Sequence, residues 1–516
     1  MRTLACLALS ALATPALAAP APRVSFESQV VVLVVTTQDY DEWRPWEKKT
    51  PETRTVQAVI VDGSLIATTA DLVENATVIF VEKHGRPLRE PARIVHVDAD
   101  ANLALLTVDK PGFFADLKPA VLAPSMPTEG QVSTVRWRSG QLEISASRIS
   151  RIEVETSYLG ALEHASLIVE TDLSGGGWSE PLFADGRLIG LTFAQDEKSA
   201  TVTPVDILRA FLESARTPGG YREFANLDLS WEVNRDPALT RYLGLEGEPR
   251  GILVTRVPWG SSACGALFPR DILLSLDGHA IDAAGNFEHR RYGQLKFTQI
   301  VVDGHHACDV IPGEVLRDGK KLPVKLTLRP ARSAHDLVPV RTGGAAPPYV
   351  IEGGLVFREL DGEFLRTWGK DWEKKAPPFL MTSYDLFRTT QTPARRRVIL
   401  LAYVLPSAYN LGYGNLETLP VERINGRDID SIADVDEAFR HPEGDFHRIV
   451  FEANPVRAEV VLDAATLEKA TQEILDEYQI PERRRLRETP LPDLGEACPD
   501  RPDRPLRHEA SSRTTL

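Results

Sequence analysis

Hydrolysis by a side-chain nucleophile needs a hydroxyl or thiol, a base to take its proton and a third group to orient that base. The hydroxyls that stand out here are Ser174 and Ser179, in the glycine-rich stretch Thr171-Asp-Leu-Ser-Gly-Gly-Gly-Trp-Ser-Glu-Pro-Leu-Phe183. His84, His96 and His164 are the imidazoles of the same region, and none lies within that stretch. Ser174 and Ser179 therefore read as turn residues, and His84 and His96 as surface or sheet histidines. A second group, Asp303-Gly-His305-His306-Ala-Cys308, holds ligand types that could bind a metal. Its spacing is poor for a closed tetrahedral site and no second pair stands nearby, so it reads as a surface loop, with no metal or cofactor expected. The run Arg483–Arg487 is a basic cluster with acids close behind it, which reads as part of a solvated tail.

The elements that must position these groups are mainly strands. Gln29–Thr36, Val56–Val61, Thr77–Val81, Ala92–Val97, Leu103–Val108 and Leu167–Glu170 are short runs rich in Val, Ile and Leu, punctuated by Gly, Pro and Asp. Many short strands at close spacing predict a barrel or sandwich over residues 29–215. Thr203–Ala215 predicts a helix, with Pro204 in its first turn and Val205, Leu208 and Leu212 on one face. Thr217-Pro218-Gly219-Gly220 is a linker.

Beyond the linker the chain repeats itself. Gly251–Val257 is similar to Val398–Val404, and Asp271–Ile281 to Leu419–Ile429, at offsets of 147 and 148 residues. Asp277-Gly278 and Asn425-Gly426 are dipeptides that close β-hairpins. Each copy ends in a strand pair, Glu314–Leu328 and Arg448–Leu462, so two tandem copies of one mixed domain are expected. Tyr242-Leu-Gly-Leu245 reads as a helix end with a glycine cap. Residues 464–480 predict a final helix, and the proline-rich residues 481–516 a disordered tail.

The 516 residues exceed one ordinary domain. A net charge of −14 argues against nucleic acid or an anionic membrane as the main partner. No apolar run outside the N-terminus reaches the length of a membrane span. Arg2, the apolar Leu4–Leu17 and the small-residue site Ala16-Leu17-Ala18 read as a secretory signal over residues 1–19. Export permits a disulfide among Cys264, Cys308 and Cys498, which allow three pairings; a Cys264–Cys308 bridge is one hypothesis, two separate thiols the other.

These features resemble the HtrA/Deg serine proteases, closest to the plant-type and bacterial Deg branch. Ile66-Ala-Thr-Thr-Ala-Asp-Leu-Val73 is similar to the family's I-L-T-N-A-H-V-V, Asn102-Leu-Ala-Leu-Leu106 to its D-L-A-L-L, and Gly176–Phe183 to its G-N-S-G-G-P-L-F. Gly186–Phe193 is similar to the strand pair that follows, and Trp46, Lys83-His84-Gly85, Ser150–Glu153 and Pro347–Phe357 add local matches. The resemblance implies a mainly β chain: a trypsin-like double β-barrel over residues 20–216 and two PDZ-like α+β domains at 220–331 and 337–463.

Carried over position by position, the resemblance puts Asp71 where the family has its imidazole, Asn102 where it has the carboxylate and Trp178 where it has the nucleophile. Asp71 is a far weaker base than imidazole at neutral pH, Asn102 carries no charge, and Trp178 carries no nucleophile. Glu180 replaces a glycine and would oppose a developing oxyanion. The resemblance also implies a peptide-binding loop at Tyr221-Arg-Glu-Phe-Ala-Asn-Leu-Asp-Leu229, with Tyr221, Phe224, Leu227, Asp228 and Leu229 as its contact residues. Glu223 and Asp228 stand where the family has glycines, which removes backbone freedom and adds negative charge against a peptide carboxylate.

The expected function is an exported, periplasmic or secreted pseudoprotease that binds polypeptide segments or unfolded protein, in a scaffold, chaperone-like or protein quality-control role. The alternatives are an active endopeptidase using Ser179 as a shifted nucleophile, and a structural subunit forming homo-oligomers or assemblies with active homologues.

Overall fold

The computed structural model describes residues 26–160, 162–172, 178–217, 220–331, 335–392, 394–452 and 458–487. The leader, Ser174 and its glycines, Cys6, Cys498 and residues 488–516 lie outside the described residues.

The strand Val30–Thr37 has the sequence Val-Val-Val-Leu-Val-Val-Thr-Thr, and its first six residues are buried. A continuous run of branched apolar residues suits a strand covered on both faces. It pairs antiparallel with Glu52–Asp62 on one side and Ala76–Glu82 on the other. Seven strands from Val30 to Thr107 make this sheet, wrapped round Val31, Leu33, Ile60, Ile66 and Leu106. Six more, from Gln131 to Pro204, close into a barrel. The helix Val205–Ala215 follows with Pro204 as its N-cap, one residue earlier in role than the first-turn position expected, and buries Ile207, Leu208, Phe211 and Leu212.

The internal repeat is structural. Ile252–Arg256 and Ile399–Val404 occupy matching places in two sheets, each pairing with the strand that ends in its tight turn. Both turn dipeptides have two left-handed residues, with φ 45° and 78° at Asp277-Gly278 and 51° and 72° at Asn425-Gly426. That is the primed geometry whose twist matches the flanking strands. The copies differ after the turn. In the second, Ser431 caps the helix Ile432–Ala438 by accepting from the Asp434 N–H. In the first, the hairpin Asn286–His289/Gly293–Lys296 and a short 3-10 turn, Phe297–Val301, stand in its place.

Two expectations are corrected. Residues 481–487 are ordered, not solvated: Arg484–Arg485 form a strand on Tyr349–Glu352. Composition reported their charge but not the buried acids waiting for it. Cys308 is a free, exposed thiol and Cys264 is in a disulfide, so neither the Cys264–Cys308 bridge nor the pair of separate thiols is found. The partner of Cys264 lies outside the described residues.

The domains are joined through the loop between the first two strands. Trp43 packs among Phe364, Trp368 and Tyr403, with ring centroids 4.7, 5.5 and 6.2 Å away, and its indole N–H donates to Thr367 Oγ1 at 3.1 Å. Beside it Arg358, whose side chain is 1% exposed, donates to Glu42 Oε2 at 2.8 Å and Asp361 Oδ2 at 3.0 Å. Removing this guanidinium leaves two carboxylates facing each other without a counter-charge. Arg358→Met is therefore expected to lower stability by about 3–5 kcal/mol. Adding Glu42→Gln should restore part of the loss, read from urea midpoints at constant slope.

Candidate functional site

Asp71 sits in a single 3-10 turn, Ala70–Leu72, directly after the strand Leu65–Thr68. Asn102 lies just before the strand Leu103–Thr107 with φ 52°, a left-handed conformation that asparagine tolerates better than most residues. Its Oδ1 accepts from the Asp71 N–H at 2.9 Å, and its carbonyl accepts from the Ala70 N–H at 3.2 Å. Asn102 thus fixes the turn that presents Asp71. Burial pushes the Asp71 carboxyl above its ordinary pKa, against the opposing pull of neighbouring donors and of Arg341. Arg341 comes from the approach to the second PDZ-like domain and reaches Glu74 at 2.7 Å. No sequence pattern marks this contact, because 267 residues separate its partners.

Trp178, Ser179 and Glu180 enter the strand Pro181–Ala184. Ser179 has φ 58°, a left-handed conformation that glycine adopts most cheaply. Its N–H donates to the Thr192 carbonyl at 2.7 Å, and its fully buried hydroxyl pairs with Thr68 Oγ1 at 3.0 Å. Glu180 is buried, and its carboxylate accepts from the Thr192 hydroxyl at 2.6 Å. The side chain expected to confront an oxyanion is therefore tied to its own neighbouring strand. Trp178 is 37% exposed and meets Tyr158 edge-on at 5.3 Å. Trp178 and Glu180 border a cleft of about 290 Å³ shared with Gln57, Arg136, Trp137 and Arg138.

The histidines stand apart from this cluster. His84 Nε2 is 3.0 Å from Asp116 Oδ2, and the His96 ring packs tilted against Tyr221 with centroids 4.0 Å apart. His164 is fully buried with its Nδ1 3.1 Å from Ser166 Oγ. In the other candidate loop, His305 pairs with Asp277 at 3.0 Å and the His306 N–H donates to Asp309 Oδ2 at 2.9 Å. Among the described residues no group of three His, Cys, Asp or Glu side chains is placed to hold a metal ion.

The loop Tyr221–Leu229 is largely consumed in packing. Tyr221 donates its hydroxyl to Asp98 of the first sheet. Phe224 and Leu227 are buried and Leu229 is partly buried. Asp228 has φ 45°, and burial raises its pKa against the pull of Arg388 and Arg256. Asp228 therefore has Arg388 and Arg256 near it, while Glu223 stays exposed. Arg256 also donates to the Leu386 carbonyl at 2.7 Å and to Thr389 Oγ1 at 2.8 Å, so a segment of the second PDZ-like domain approaches the same place.

The chain is similar to known proteins over much of its length. The family model described as a PDZ domain matches residues 338–485, which takes in the final helix and the arginine strand. Protease Do-like 2 of Arabidopsis thaliana chloroplasts is 26% identical over 472 residues, 89% of this chain and 75% of that protein. The mitochondrial Protease Do-like 4 of the same plant is 22% identical over 464 residues, 89% of this chain and 85% of its own. Among solved structures, an HtrA-type protease with a decapeptide aligns with TM-score 0.46 and 20% identity, over 59% of this chain and 95% of that one. A serine endoprotease from Yersinia pestis aligns with TM-score 0.40 and 17% identity, over 59% and 94%.

His164 generates a pH prediction. Burial lowers its pKa to about 4, below the unfolded value near 6.5. The folded state then binds fewer protons than the unfolded state between those two values. Its contribution is fully present above about pH 6.5 and declines by about 1.4 kcal/mol per pH unit as pH falls towards 4. His164→Asn should flatten this acid limb in denaturant titrations from pH 7 to 4.5.

Proposed function

We propose that this homologue of the HtrA/Deg-type proteases, with its C-terminal PDZ domain, is a non-catalytic member that binds polypeptide segments. The observation that carries the reading is the trio Asp71, Asn102 and Trp178. In it a buried carboxyl, an amide and an indole stand where hydrolysis needs an imidazole, a carboxylate and a hydroxyl. Asn102 serves the turn through its carbonyl oxygen and offers no charge to an imidazolium. Trp178 fills the nucleophile position with a ring packed on Tyr158.

Ser179 does not favour the alternative of a shifted nucleophile. Its hydroxyl is buried and engaged by Thr68, and the histidines of the domain are held elsewhere by Asp116, Tyr221 and Ser166. An activated serine needs a base within hydrogen-bond reach and a hydroxyl open to substrate. The cleft beside Trp178 offers aromatic and arginine side chains instead, a lining suited to holding an extended segment. Polypeptide binding through a PDZ domain extends this, since such domains take a peptide as an added strand. The leader-like N-terminus and the disulfide at Cys264 support a location outside the cytoplasm, periplasmic or secreted.

The purified mature chain is expected to leave casein-like unfolded substrates intact and to resist labelling by a fluorophosphonate. Because triad members act as a unit, Trp178→Ser alone should give no activity. Robust cleavage by the wild type, blocked by a serine-directed inhibitor, would overturn the reading.

A further inference from the structure

The arginine run that composition assigns to solvent instead completes a sheet. Arg484–Arg485 lie antiparallel to Tyr349–Glu352, with Arg485 opposite Tyr349 and Arg484 opposite Val350. The Ile351 N–H donates to the Arg483 carbonyl at 2.9 Å, and the Tyr349 hydroxyl donates to the Glu482 carbonyl at 2.9 Å. Only this short stretch is held by backbone, so side chains fix the rest.

Those side chains meet buried acids. Glu352, Glu359 and Asp436 have side chains 2%, 3% and 4% exposed. Arg483 grips Glu352 with two donors, Nε at 2.9 Å and Nη2. Arg487 grips Glu359 the same way, with Nε at 3.2 Å, and Arg484 pairs with Asp436. Arg485 donates to the Pro45 carbonyl at 2.8 Å and lies over the rings of Tyr40 and Tyr349. Glu359 and Asp436 each keep a second arginine, Arg397 and Arg440. Glu352 has Arg483 alone as an ion-pair partner among the described residues.

A buried carboxylate stripped of its counter-charge is costly, so an apolar or acidic strand cannot fill this edge. A lysine strand can neutralise the acids but cannot form the paired contacts on Glu352 and Glu359. The edge is therefore selective for an extended segment that carries arginine at these positions. We propose that the Tyr349–Glu352 edge is a docking site for arginine-rich extended polypeptide, occupied in the free protein by residues 481–487 as a built-in ligand. A strand of the same chemistry from another polypeptide takes the site when the built-in one is displaced. This site is separate from the loop Tyr221–Leu229 and is indifferent to whether the barrel is catalytic.

The test uses the full chain with a site-specific protease recognition sequence inserted at the exposed Pro481–Glu482 junction, folded first and then cut. After a high-salt wash, a fluorescent peptide of residues 482–487 should bind the cut chain saturably, with affinity that falls as salt rises. It should show no measurable binding to the uncut chain. The peptide carrying Arg483→Lys should bind about tenfold more weakly, and so should the native peptide to cut chain carrying Glu352→Gln. Circular dichroism before and after cutting reports whether the body stays folded. Equal binding to cut and uncut chain, no binding to the cut and folded chain, unfolding on cutting, or undiminished binding of the lysine peptide would each overturn the proposal.

Discussion

The molecule depends on one desolvated cation. Arg358 lies with its side chain almost wholly out of water, between Glu42 beside the first sheet and Asp361 of the second PDZ-like domain, its plane over Phe364 at 4.3 Å. None of these charges is tolerable there alone. Burial also raises the pKa of Glu42 to about 6, first against the pull of Arg358 and then with the help of Asp361. Trp43 closes over the same place. The relative placement of the domains therefore rests on a contact whose cost of separation is electrostatic as well as apolar.

That contact bears on the candidate site. Asp39, at the start of the same loop, accepts from Asn75 at 2.8 Å, and Glu74 beside it holds Arg341. Asp71 lies one turn earlier. The turn is thus tied at Asn102 on one side and, through Glu74, to Arg341 on the other, and Trp178 packs edge-on against Tyr158 beside it.

The sequence makes the local rules legible. The run Val30–Val35, the paired turn dipeptides and the glycine at position 244, which ends the helix Pro237–Tyr242 with φ 84°, each express a constraint carried by adjacent residues. Asp71 and Asn102 are brought within one hydrogen bond of each other by the fold. What sequence reading missed is long-range and charged. Arg358, Arg341, Arg256 and Arg483 all look like ordinary surface arginines, because hydrophobic periodicity reports local burial and an ion pair across hundreds of residues leaves no period. The segment 481–487 departs from expectation for the same reason: composition counts charges but does not say which will be taken out of water. Cys308 shares the first PDZ-like domain with Cys264 in a chain with a leader-like N-terminus, which makes a bridge conceivable, yet it stands as an exposed free thiol on a residue with φ 74°.

The docking of Trp43 has a consequence for the order in which the chain is made. Its partner Thr367 emerges 324 residues later. At a synthesis rate of ~5–20 residues per second, that separation lasts about 15–65 s. Throughout that interval the first sheet lacks its covering domain, with an indole and the Glu42 carboxylate open to water and to other chains. The N-terminal half must therefore be able to wait in an unfinished state, its loop exposed, until the last third of the polypeptide arrives to cover it.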